Sequence, residues 1–134
     1  MSDQATTLGQ LREAVAAFVR EREWEQFHTP KNLSMSIAIE AAELMEHFQW
    51  LTVEQSKKPD EEALQGIREE LSDIVIYALS LANAMDIDLS TAMRAKMEKN
   101  IRKYPSDKVR GKAHKYTYYQ GSGEGGAPAG EPAP

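Results

Sequence analysis

At 134 residues, with 41% hydrophobic and 28% charged side chains, no cysteine and a formal net charge of -5, the chain is sized for one domain. The lack of cysteine excludes a disulfide framework, a thiolate metal site and a cysteine nucleophile, and fits a reducing compartment. The charge is unevenly spread: residues 1–93 carry 17 acids against 7 Lys plus Arg, whereas residues 94–115 carry 9 Lys plus Arg against 2 acids. An acidic body of this kind is a poor match for a nucleic acid polymer, whose phosphates demand clustered Lys and Arg. The start, MSDQATTLGQLRE, lacks the basic-then-apolar pattern of a secretory leader, and no apolar run approaches the ~20 residues that span a bilayer. The expectation is a soluble, cytoplasmic protein with no membrane partner.

Apolar residues recur at spacings of three and four, which predicts an all-α fold of four helices. The first is expected over about 8–23, with Leu11, Val15, Phe18 and Val19 on one face and Thr6 or Thr7 as the cap. The second should open near Lys31 or Asn32, after Pro30, and carry Leu33, Ile37, Leu44 and Phe48 to about Trp50. A polar connection, TVEQSKKPDE, follows. The third is expected from Pro59 or Asp60 to about Met85 through Leu64, Ile67, Leu71, Ile74, Ala78 and Leu81, and the fourth from a Ser90 cap to Pro105 through Ala92, Met93, Met97 and Ile101. Residues 121–134 are Gly, Pro, Ala and Glu with one Ser, so residues 118–134 are expected to form a disordered tail behind a domain of residues 1–117.

The second and third helices carry acids where a core should lie. At ~100° per residue, Glu40 falls within the stripe of Leu33, Ile37, Leu44 and Phe48, with Glu43 at its edge. Glu70 lies beside the line of Ile67, Ile74 and Leu81, with Asp73 at its border, while Glu69 turns toward solvent. A single Glu-x-x-Glu is commonplace on a wet helix face. Two such pairs on core-facing stripes are not, because a buried carboxylate without a cation is costly and several together more so. Magnesium, a hard ion that takes oxygen ligands and keeps sites for waters and phosphates, suits this donor set. Neither pair is a Glu-x-x-His, which argues against di-iron. Asp60, Glu61 and Glu62 read instead as favourable charges at a helix start.

Four stretches, EREWEQFHTPKNL (21–33), EAAELMEHFQW (40–50), EELSDIVIYALSLA (69–82) and KMEKNIRKYP (96–105), followed by a KYT at 115–117, resemble the MazG-like all-α nucleotide pyrophosphohydrolases. The WEQFH and FQW segments point to the dCTP pyrophosphatase branch. The resemblance covers about residues 8–117 and implies cleavage of a nucleoside triphosphate between its α and β phosphates, giving a monophosphate and pyrophosphate. Glu40, Glu43, Glu70 and Asp73 match the family's catalytic magnesium ligands, and one of the glutamates is expected to act as general base toward the attacking water. Trp24, Glu25, Gln26, Phe27, His28 and Trp50 fall in the family's base-binding segments, and Tyr77 matches a residue that reaches the nucleotide. Lys96, Asn100 and Tyr104, spaced i, i+4, i+8, could present a cation and two hydrogen-bonding groups to a phosphate. His47 and His114 carry no motif. The resemblance also implies a bundle assembled as a homotetramer. Two alternatives stand beside a dCTP-directed enzyme: a broader house-cleaning pyrophosphohydrolase for non-standard triphosphates, and a non-catalytic helical interaction module.

Overall fold

The computed structural model describes residues 1–113. Those residues hold six helices and no strand: α1 (Leu8–Glu21), α2 (Pro30–Glu46), α3 (Val53–Ser56), α4 (Glu61–Ala84), α5 (Leu89–Lys103) and α6 (Ser106–Val109). The four long ones are those the periodicity predicts, although α2 stops at Glu46 rather than near Trp50, the chain passing into turns at His47. The single-turn helices α3 and α6 are not predicted, because one turn is too short to show a period. The chain divides into two compact units, Met1–Asp88 and Leu89–Pro134. The 118–134 tail, the KYT segment and His114 lie outside the described residues.

Helix starts follow local chemistry. Thr7 closes a capping box on α1: the Gln10 backbone N–H donates to Thr7 Oγ1 (3.2 Å) and the Thr7 N–H donates to Gln10 Oε1 (2.8 Å). Thr29 caps α2, with Pro30 in the first position where its missing N–H costs nothing. Thr52 and Gln55 form a second capping box, which is what makes α3 a helix within the expected polar connection. Asp60 caps α4 by accepting from the Ala63 N–H at 2.8 Å. The fourth long helix begins at Leu89, so Ser90 lies inside its first turn rather than capping it.

Within the first unit, α4 packs against both α2 and α1. Being contacted on two sides, it does not bury one stripe: Leu79 and Ala82 are its most buried apolar residues, meeting Leu33 of α2 and Val19 of α1 in the core, whereas Leu71 of the expected stripe is half exposed. Gly66 permits a close approach here. A Cβ at Gly66 would stand 2.5 Å from Cε1 of His47, so His47 serves packing of α2 on α4. The α1–α4 contact is latched by polar groups. Asn83 Nδ2 donates to the Arg12 carbonyl (3.0 Å), while Arg12 Nε donates to Asn83 Oδ1 (3.0 Å).

Two non-glycine residues in the left-handed region end α1 and α4. Glu23 (φ 52°) follows α1, and the Trp24 N–H returns to the Val19 carbonyl while the Glu23 N–H returns to that of Arg20. Asp86 (φ 52°) follows α4 in the same way, with the Ile87 N–H on the Ala82 carbonyl. Both are Schellman closures. The first fixes the direction in which Trp24 leaves α1.

Candidate functional site

The acids of α2 and α4 meet. Carboxylate oxygens of Glu40, Glu43 and Glu70 all lie within 4.8 Å of one another. Asp73, one turn beyond Glu70 on α4, adds its negative charge to the field at Glu40. Glu40 Oε2 is buried without a hydrogen-bond donor. Burial first, then the neighbouring carboxyls of Glu43 and Glu70 and the charge of Asp73, push the Glu40 carboxyl from 4.5 up to about 7. Such a group is under-satisfied as protein alone. Carboxylates crowded without Lys or Arg between them form a set of hard oxygen donors suited to a hard divalent cation. Glu69, by contrast, is exposed and accepts from Gln65 Nε2 (3.0 Å), and Glu61 pairs with Arg68 on the surface.

Asp73 connects this cluster to a cavity. Glu70, Asp73, Tyr77 and Ser80 follow one another at helical spacings of three and four, so they share a face of α4. Asp73, Tyr77 and Ser80 line a groove of about 910 Å³ with Trp24, His28 and α1 residues Leu11, Val15, Phe18 and Val19. Four rings succeed one another along it. Phe18 meets Trp24 edge-on at 5.7 Å between centroids, Trp24 stacks with His28 at 6.1 Å, and His28 tilts against Tyr77 at 6.4 Å. Outside this series, the Arg22 guanidinium covers Phe18 at 3.8 Å. The segment carrying Trp24 and His28 is held by its own turns: the Phe27 and His28 N–H groups both donate to the Trp24 carbonyl, and Asn32 Nδ2 donates to that of Phe27. A second cavity of about 490 Å³ shares His28, Val19 and Ser80 with the first and includes Glu25.

Of the residues singled out from the sequence, the structure therefore brings together Glu40, Glu43 and Glu70, sets Asp73 near enough for its charge to act on Glu40, and separately joins Asp73 to Trp24, His28 and Tyr77. Phe27, Gln26 and Trp50 line neither cavity: Trp50 is 87% exposed, Phe27 is exposed, and Gln26 is tied back to the Glu23 carbonyl. Lys96, Asn100 and Tyr104 belong to the second unit. Lys96 and Asn100 are on α5, but Tyr104 lies just past its end, its N–H donating to the Asn100 carbonyl, so the expected i, i+8 helical face stops short of it. Phe18 and Ser80 were missed. The signal for Ser80 was present, a hydroxyl three residues after Tyr77 inside the apolar run YALSLA.

No single helix among the described residues is long and apolar enough to cross a membrane. The chain is 45% identical over 115 residues to dCTP pyrophosphatase 1 of Bos taurus, covering 83% of this chain and 67% of the relative, and 43% identical to the Homo sapiens protein of that name over 83% and 66%. It thus spans about two thirds of the length of these relatives. A crystal structure of a pyrophosphatase from Archaeoglobus fulgidus aligns with a TM-score of 0.65 and 38% identity, over 78% of this chain and 98% of that one. A model of the MazG-like family matches residues 35–118, the stretch that holds Glu40, Glu43, Glu70 and Asp73. Sequence, fold and the acid-bearing helix pair agree, and the chain belongs to the MazG-like family.

Proposed function

We propose that the chain is a magnesium-dependent nucleoside triphosphate pyrophosphohydrolase that converts dCTP and water to dCMP and pyrophosphate, trimming the nucleotide pool of the cytoplasm. The observation that carries this reading is the continuity of the α4 face, from the carboxylate cluster through Asp73 and Tyr77 into the aromatic groove. A triphosphate needs cation ligands at one end and an aromatic slot at the other, and this face offers both. The relatives named dCTP pyrophosphatase 1 supply the choice of base.

Glu40, Glu43, Glu70 and Asp73 would hold magnesium. When bound, the metal neutralises phosphate charge and lowers the pKa of an attacking water. The protein side chains do the rest. Trp24 and Tyr77 offer flat faces for a base, and His28 between them offers a polar ring edge. With a divalent cation held there, the carboxylates would fix the triphosphate end of the substrate at the α2–α4 seam, and one glutamate of the cluster takes the proton of the attacking water. Glu25, which lines the neighbouring cavity with His28, is assigned to the base with Trp24, His28 and Tyr77. The remaining apolar surface supports assembly as a homotetramer. Met35, Ile39 and Met45 of α2, none of which lines the groove, are exposed large hydrophobics in the first unit, a patch of the kind that marks an association surface. Sedimentation showing a fully active monomer would dispose of the tetramer.

Hydrolysis of dCTP in ¹⁸O-water tests the reaction itself. Label in dCMP reports attack at the α phosphorus and label in pyrophosphate attack at the β phosphorus, both of them cleavage of the α–β bridge; dCDP with inorganic phosphate as products contradicts the assignment.

A further inference from the structure

The groove contains two buried polar atoms that nothing among the described residues satisfies. Ser80 is 6% exposed and its Oγ has no hydrogen-bond partner; His28 Nδ1 is likewise buried and unpartnered. A serine in a helix ordinarily turns its hydroxyl onto the carbonyl four residues back, as Ser72 does onto Arg68 at 2.6 Å. Ser80 does not. Both atoms belong to residues on the wall shared by the two cavities. Buried unsatisfied polar groups are rare because each forfeits its hydration without return, so two lining one cavity point to a ligand that completes them.

Their position says which part of a ligand. Ser80 is seven residues beyond Asp73 on the same face of α4, roughly 10 Å along the helix at about 1.5 Å per residue. Resting on the reading of the site as a nucleoside triphosphate pocket, that spacing is the reach from a phosphate at the acids to the far edge of a base. The rings of Trp24 and Tyr77 flank His28, leaving the polar atoms to meet the base at its edge rather than its face.

We propose that Ser80 is a specificity-determining residue, whose hydroxyl, with His28 Nδ1, hydrogen-bonds the amino-bearing edge of a pyrimidine base. The hydroxyl accepts from the exocyclic amino group, and the imidazole or hydroxyl proton meets the adjacent ring nitrogen. A site built this way rejects an analogue lacking the amino group far more strongly than an apolar slot does, because the protein groups are then left unpaired.

The test compares dCTP with the deoxynucleoside triphosphate of 2-pyrimidinone, which lacks only the 4-amino group, in the wild type and in Ser80→Ala. The wild type should favour dCTP by roughly 100-fold or more in kcat/KM, and Ser80→Ala should compress that ratio at least ~10-fold, chiefly through the KM for dCTP. Ligand-free Ser80→Ala should melt no lower than the wild type, since it loses a hydroxyl that has no partner. An unchanged ratio in an active Ser80→Ala overturns the inference, as does a variant that melts lower while keeping the ratio, which would make the hydroxyl structural. If the wild type turns over no triphosphate, the enzymatic reading itself fails, an outcome distinct from either.

Discussion

Glu40→Gln separates the electrostatic cost of the acid cluster from its use. The substitution keeps the shape of the side chain and removes one charge from among Glu43, Glu70 and Asp73. The carboxyl of Glu40 ionises at about 7 instead of 4.5 in the folded chain, so the native state holds a proton that the unfolded chain has released. Between those limits stability falls as pH rises, because the native state binds more protons than the unfolded one. The full rise corresponds to about 3 kcal/mol at roughly 1.4 kcal/mol per pH unit. Partial exposure of the residue reduces this to on the order of 1–2 kcal/mol. In chelator at pH 7.5, Glu40→Gln should therefore be more stable than the wild type by about that amount, measured by urea unfolding. Well below pH 4.5, where Glu40 is protonated in the folded and the unfolded chain alike, the difference should vanish. Magnesium should stabilise the wild type at pH 7.5 and close the gap, and turnover of the variant should be lost. A variant no more stable than the wild type at pH 7.5 without metal would refute the claim that these carboxylates are crowded at a cost.

Asp73→Asn should lower magnesium-dependent turnover at least ~100-fold, since loss of a ligand should cost no less than loss of a supporting partner, with the helical circular dichroism spectrum unchanged; retained activity would remove Asp73 from the metal set. Asn83→Ala breaks the reciprocal clasp to Arg12 and should cost about 1–3 kcal/mol in urea unfolding by leaving part-buried groups unpaired. Glu23→Gly relieves a left-handed residue at the end of α1 and should raise stability by about 1 kcal/mol; a fall would show that the Glu23 side chain carries a favourable contact.

The long helices were legible because their apolar residues recur over several turns, and the acids of α2 and α4 stood out because they interrupt those stripes. Glu40 is the clearest case: its position within the line of Leu33, Ile37 and Leu44 anticipates a half-buried carboxylate. What escaped was set by chemistry without a period. The helix α3 depends on the Thr52–Gln55 box, and the turns at Glu23 and Asp86 use residues other than the glycine or asparagine that announce a left-handed end. The single-stripe reading of α4 failed at Leu71 because α1 and α2 pack on different sides of it. Trp24, His28 and Tyr77 were named from motif, but their succession along one groove depends on where the chain turns after α1. Ser80 was hidden for a related reason, since burial of a hydroxyl without a partner is a property of packing.

The central claim is tested most directly by pyrophosphate release from a panel of ribo- and deoxynucleoside triphosphates, with magnesium and then with chelator. Turnover of dCTP in preference to the other bases, abolished by chelator, is the predicted result. Activity spread evenly over many bases would contradict the choice of dCTP, and release that survives chelation would contradict the assignment of Glu40, Glu43, Glu70 and Asp73 to the metal.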